Sequence, residues 1–88
     1  MSKTQKERKL MNEQYYQDLN EKRAQSAARA VEAFLKVEHC DEEDILCDLL
    51  CNLKHWARVH NYDYAAADMR SNMHFDAEME EAETGVPA

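Results

Sequence analysis

Eighty-eight residues with a net charge of −7, one Gly and one Pro allow a single domain with a thin core, since a chain this short hides only about 60–65% of its unfolded surface. Ala, Leu, Glu, Lys, Gln, Arg and Met are plentiful and strand formers scarce, which predicts an all-α fold and excludes a sheet-based one. No stretch approaches the ~20 apolar residues of a membrane span, and residues 37–88 carry three Lys/Arg against thirteen Asp/Glu, a balance that repels nucleic acid and anionic membrane.

The first 36 residues are the opposite, with eight Lys/Arg against five Asp/Glu. Lys3, Lys6, Arg8 and Lys9 make residues 1–9 a short basic segment without a large apolar residue after Met1, expected to form a flexible arm. Three Cys, and a charged start with no apolar run behind it, suit reduced thiols and a cytoplasmic location.

From Leu10 to about Val37 the residues Tyr16, Leu19, Arg23, Ala27, Ala30, Phe34 and Val37 recur at three- and four-residue steps without Gly or Pro. The spacing predicts one helix of about 42 Å, long for so small a domain, so that part of it should project or pair. The run Ala24, Ser26, Ala27, Ala28, Ala30 and Ala33 favours helix by propensity alone. It also leaves a backbone that another helix can approach, which makes a homodimer through this helix an expectation.

Glu38-His39-Cys40 interrupts the pattern. Asp41 is placed to cap a second helix whose first turn holds Glu42, Glu43 and Asp44, acids that suit the positive helix end. Over Asp41–His60, the residues Leu46, Leu49, Leu50, Leu53 and Ala57 fall on one ~100° arc, flanked by Trp56 and Ile45 on one side and Cys47 and Cys51 on the other. So broad an apolar face predicts a central helix sandwiched by two others. Asn61 can take the left-handed conformation and Asp63 can cap the next helix, a short connection that makes the neighbouring helices antiparallel.

The third helix is expected over Asp63–Glu83. Tyr62, Ala65, Ala66, Met69 and Met73 share one face and predict its core contact, while Tyr64, Phe75 and Ala82 form a narrower strip, a flank against the first helix or an exposed contact patch. From Asp76 onward the sequence is acidic nearly all round, so the last two turns should run past the core into water. Thr84–Ala88 reads as a loose tail. The expected fold is therefore a small three-helix domain over residues 10–83, one long N-terminal helix packed on an antiparallel helical pair.

Chemistry is sparse. Cys47, Cys51 and His55 lie at i, i+4 and i+8, but the outer two are about 12 Å apart along the axis, too far to share a metal at 2.0–2.3 Å bond lengths. Buried Cys behaves as a small apolar residue, so these read as packing residues and no metal or cofactor is expected. Cys51 and His55 can meet as a thiol–base pair, yet nothing supplies an orienting group or an oxyanion hole. Helix two has Lys54 and Arg58 among acids and helix three only Arg70, which excludes a basic DNA-reading helix. The enzymatic alternative is an all-α carboxylate–magnesium nucleotide hydrolase, with Glu42, Glu43 and Asp44 facing Asp76, Glu80 and Glu83. The E-E-x-x-E plus E-x-x-D spacing of such enzymes is absent.

The remaining reading is recognition of a protein. Met73, Phe75 and Met79 interleave with Asp76, Glu78, Glu80 and Glu81, so that acids would steer a basic partner and the Met and Phe side chains anchor it.

The segment from Asp44 to Glu78 carries D-I-L-C-D-L-L (44–50), H-W (55–56), Y-D-Y (62–64) and M-H-F-D-A-E (73–78). It resembles small uncharacterised proteins of bacterial plasmids and prophages, over about 35 of the 88 residues. In size, acidity and lack of catalytic motifs the chain is also similar to phage anti-defence proteins, anti-CRISPR inhibitors among them. The expectation is a non-enzymatic, acidic interaction module, an inhibitor or regulator borne by a mobile element that binds a basic surface of a host nucleic-acid-handling protein.

Overall fold

The computed structural model describes residues 4–88 and is all-α: α1 Gln5–Glu38, a 3₁₀ turn Glu42–Asp44, α2 Ile45–Val59 and α3 Tyr64–Thr84. No strand occurs among the described residues. The long N-terminal helix packs on the other two, chiefly on α3.

α1 begins earlier than its apolar periodicity predicts. Thr4 stands just before it, and its Oγ1 accepts a hydrogen bond from the Glu7 backbone N–H at 3.2 Å. This is the Thr half of a T-x-x-E capping pattern, so Gln5–Lys9 are helical rather than a flexible arm. Residues 1–3 of that expected arm lie outside the described residues. The helix runs 34 residues, about 51 Å at 1.5 Å per residue, and so spans nearly the whole 56 Å length of the molecule. It ends where His39 turns left-handed (φ 49°) and donates its N–H to the Leu35 carbonyl. From Glu21 to Ala30 every residue is exposed, the alanine run included.

Asp41 precedes the 3₁₀ turn but caps through its backbone only: its carbonyl accepts from the Asp44 N–H at 3.0 Å, and its side chain makes no capping bond. The α2–α3 junction matches the sequence expectation. Asn61 is left-handed (φ 59°). Its N–H reaches the Arg58 carbonyl at 3.3 Å and the Tyr62 N–H reaches the Ala57 carbonyl at 2.8 Å, the paired bonds of a Schellman ending. Such an ending brings the residue two beyond the cap onto the last full turn, and here it stacks Tyr62 on Trp56 with ring centroids 5.1 Å apart and planes 13° apart. Asp63 then caps α3, its carboxylate accepting from the Ala66 N–H at 3.0 Å.

α3 returns antiparallel along α1, as their register shows. Gln17 Nε2 donates to the Ala82 carbonyl at 3.4 Å, Asn20 Nδ2 to the Glu78 carbonyl at 3.1 Å, and Arg23 Nε lies 3.2 Å from Glu78 Oε2. At the end of α3, Gly85 (φ 71°) is buried against the first turns of α1. The acidic last turns therefore lie against α1 instead of running into water, and Gly85 is docked instead of part of a loose tail. Of the narrow strip Tyr64, Phe75 and Ala82, Ala82 is buried and Tyr64 half-buried, whereas Phe75 is 60% exposed.

The core differs most from expectation. Ala57 (5% exposed) and Ala82 (7%) are the buried apolar residues among those described. Leu46 is 68% and Trp56 52% exposed, and Leu50, Leu53, Met69 and Met73 are exposed as well. α2 is not sandwiched. The α1–α3 register places the end of α1 beside the start of α3, and α2 joins these two neighbouring ends. It touches both neighbours and buries Ala57, while α1 half-buries Tyr16, Leu19, Val31, Phe34 and Leu35.

Candidate functional site

The seven α3 residues expected to bind a partner do not form one uniform acidic end. Met73, Phe75, Asp76, Met79 and Glu80 are exposed, while Glu78 and Glu81 are half-buried. Glu78 points back to α1, where its carboxylate pairs with Arg23 and so loses part of its pull on an outside cation. Arg23 is itself held by Asn20, which accepts from its guanidinium at 2.7 Å. Beside this pair, Asn20, Arg23, Ala24, Phe75, Glu78 and Met79 line an open hollow of about 260 Å³. Phe75, Met79 and Ala24 give it an apolar floor, and Asp76 and Glu80 stand exposed on the same helix. The arrangement suits an apolar side chain flanked by positive charge.

The two acid groups of the hydrolase alternative lie apart. Ala82 pairs with Gln17, so Glu80 and Glu83 sit toward the first half of α1, whereas Glu42, Glu43 and Asp44 come after its other end, about 30 Å of helix away. Carboxylate oxygens of Asp41, Glu43 and Asp44 come within 4.8 Å of one another, all three residues being exposed. Asp76, Glu80 and Glu83 contribute nothing to that group.

Cys47, Cys51 and His55 are exposed along α2, so the two cysteines are surface residues rather than packing ones. The half-buried thiol is Cys40, in the link between α1 and α2. Partial burial pushes its pKa up, and the nearby Asp48 carboxylate adds to the shift by disfavouring a second negative charge.

A second surface escapes a reading that assigns every apolar stripe to the interior. Glu43, Leu46, Cys47, Leu50, Cys51 and Lys54 line one open face of α2. Around the corner, Leu53, Trp56, Tyr62, Tyr64 and Ala67 line a hollow where α2 meets α3. There Lys54 Nζ sits 5.4 Å from the Tyr64 ring centroid and the Trp56 and His60 rings lie 4.7 Å apart. The signal for this surface was the breadth of the α2 stripe, wider than two neighbours in one small chain can cover.

Fold and surface together define a small all-α protein whose most apolar helix, α2, leaves most of its apolar face exposed. No known protein family, curated protein or solved structure matches the chain. No described helix is long and apolar enough to cross a membrane.

Proposed function

We propose that this protein is a non-enzymatic interaction module that binds a basic surface of another protein through the outer side of α3. Met73, Phe75 and Met79 anchor the partner, while Asp76 and Glu80 steer it and set its orientation. Glu78 and Glu81 contribute less directly, Glu78 because Arg23 already neutralises it. The observation that carries the reading is the apolar-floored hollow between α1 and α3, built around an exposed Phe75 beside exposed acids. The resemblance over Asp44–Glu78 extends the proposal to a regulator or inhibitor carried by a plasmid or phage, acting in the bacterial cytoplasm on a nucleic-acid-handling protein.

The test is capture from a bacterial host lysate by the wild-type chain and by D76K/E80K, each at low and high salt. Both reversed positions are exposed, so the helical circular-dichroism spectrum stays unchanged. A basic protein captured by wild type at low salt should disappear both on charge reversal and on raising the salt. Capture that is indifferent to both changes refutes the reading.

A further inference from the structure

We infer that the exposed face of α2 is a self-complementary interface on which a second copy of this chain docks antiparallel, α2 on α2. Three independent features of the molecule lead there. The first is surface area. A monomer of 10.3 kDa exposes about 5,400 Å² when compactly folded, whereas this chain exposes 7631 Å². The excess, roughly 2,000 Å², is more than twice the ~800 Å² that each partner gives to a standard interface and is of the size that obligate dimers remove. The radius of gyration gives the same result, 17.5 Å against about 12 Å for a compact domain of this length.

The second is the kind of surface left open. Leu46, Cys47, Leu50 and Cys51 recur at the three- and four-residue steps of a helix–helix seam, and all four are exposed or half-exposed. An apolar stripe of this sort is stabilised only by removal from water, at roughly 25 cal/mol per Å², and no described element covers it.

The third is the opposite charge at the two ends of the stripe, which commits the occupant to a second copy. Along this face the sequence is Glu43, Leu46, Cys47, Leu50, Cys51, Lys54. This spacing, common to helix faces, reads alike in both directions, so a two-fold axis beside the midpoint of Asp48 and Leu49 sets each end of the stripe against the oppositely charged end of its copy. Leu46 then meets Cys51 of the partner subunit, Cys47 meets Leu50 of the partner subunit, and Glu43 meets Lys54 of the partner subunit. A two-fold interface requires such reciprocity, each contact occurring twice. The charges obey it too. The acids of α2 gather at its start and Lys54 and Arg58 near its end, so antiparallel docking joins unlike charges at both rims, while parallel docking would oppose like ones. The α1 route to a dimer has no comparable match, since Ala24, Ala27, Ala28 and Ala30 offer little apolar area. The α2 face is separate from the α3 surface proposed above, and neither proposal depends on the other.

Sedimentation equilibrium of the full chain decides the matter. At concentrations of about 10–100 µM the wild type is expected to sediment at twice 10.3 kDa. L46E/L50E should be monomeric with an unchanged helical spectrum, because both side chains already face solvent. E43K places Lys against Lys54 of the partner subunit twice over and should weaken the dimer by about tenfold, and E43K/K54E, which restores the unlike pairing in reversed sense, should recover most of that loss. If L46E/L50E does not fold, the charge swap decides alone. The inference is overturned by a wild type that stays monomeric, by a dimer indifferent to L46E/L50E, by a double swap no better than E43K, or by a dimer that A27E/A30E dissolves while L46E/L50E does not.

Discussion

Gly85→Ala tests how α3 is fastened to α1. Gly85 occupies φ 71°, and a Cβ there would stand 2.9 Å from the Lys9 carbonyl oxygen, 3.2 Å from Asn12 Cβ and 3.2 Å from Glu13 Cγ. The substitution carries two penalties. The left-handed backbone costs a residue with a Cβ about 1 kcal/mol relative to Gly. The contacts add at least another ~1 kcal/mol, because the closest atom belongs to a helix backbone that cannot swing aside, and overfilled sites typically lose 1–3 kcal/mol. The expected loss is therefore ~2–3 kcal/mol, a large part of the 5–15 kcal/mol that holds a typical small domain together. For a chain of this size it lowers Tm by roughly 10–20 °C. Urea titration followed by circular dichroism measures it, with wild type and variant at one fixed protein concentration. Val86→Ala, an exposed neighbour, serves as control and should change stability by less than ~0.5 kcal/mol. If G85A is no worse than V86A, the end of α3 is not seated on the start of α1 and the antiparallel register is wrong at that end.

Local chemistry makes two more variants informative. Asp63→Ala deprives the Ala66 N–H of its side-chain acceptor and should cost about 1 kcal/mol, most of which Asp63→Asn retains; equal urea midpoints for D63A and wild type would show that the carboxylate does not cap α3. Because the folded Cys40 thiol keeps its proton to a higher pH than in the unfolded chain, its contribution to stability is fully present below the unfolded thiol pKa of about 8.5 and lost as pH rises through the folded value. C40A should therefore lose less stability than wild type as pH rises above about 8.5, and identical slopes for the two would refute this.

Local punctuation is the part of the fold most legible in the sequence. Asn61 and Asp63 announce the α2–α3 junction because a left-handed residue and a capping carboxylate are requirements of single positions, met by few side chains. Thr4 and Glu7 announce the start of α1 in the same way, although apolar periodicity alone places it at Leu10. The all-α class and the three helices come from composition and spacing. Which face each helix turns inward does not. Tyr62, Ala65, Ala66, Met69 and Met73 make the wider apolar stripe of α3, yet the residues that meet α1 are Glu78 and Ala82. A helix wheel ranks faces by apolar content, whereas a long antiparallel pair also selects for close approach. Ala82 and Gly85 let the two backbones come near, and Gln17 and Asn20 then reach α3 carbonyls that a bulkier seam would hold at a distance.

The acidic end of α3 shows the same limit from the polar side. Eight residues dense in Asp and Glu suggest a helix end left to water, but a helix can be acidic overall and still turn Glu78, Ala82 and Gly85 to a neighbour. What the charge count misses is its complement, since Arg23 stands on the more basic half of the chain, and the charge asymmetry between residues 1–36 and 37–88 is partly an intramolecular match between α1 and α3.

The apolar stripes displaced from the seam explain why folding and association belong together in this chain. The α1–α3 hairpin buries Ala82 and half-buries Tyr16, Leu19, Val31, Phe34 and Leu35 of α1, and its polar stitches add about 1 kcal/mol each. The larger hydrophobic reserve sits on α2 and on the outer side of α3, where the chain cannot reach it by itself. A broad apolar face states only that burial is required, not which molecule provides it. The Glu38–Asp41 link ends α1 in a left-handed His39 and sends α2 to join the two neighbouring helix ends. With that geometry the stripe Leu46, Cys47, Leu50 and Cys51 faces outward, with Glu43 at one end and Lys54 at the other.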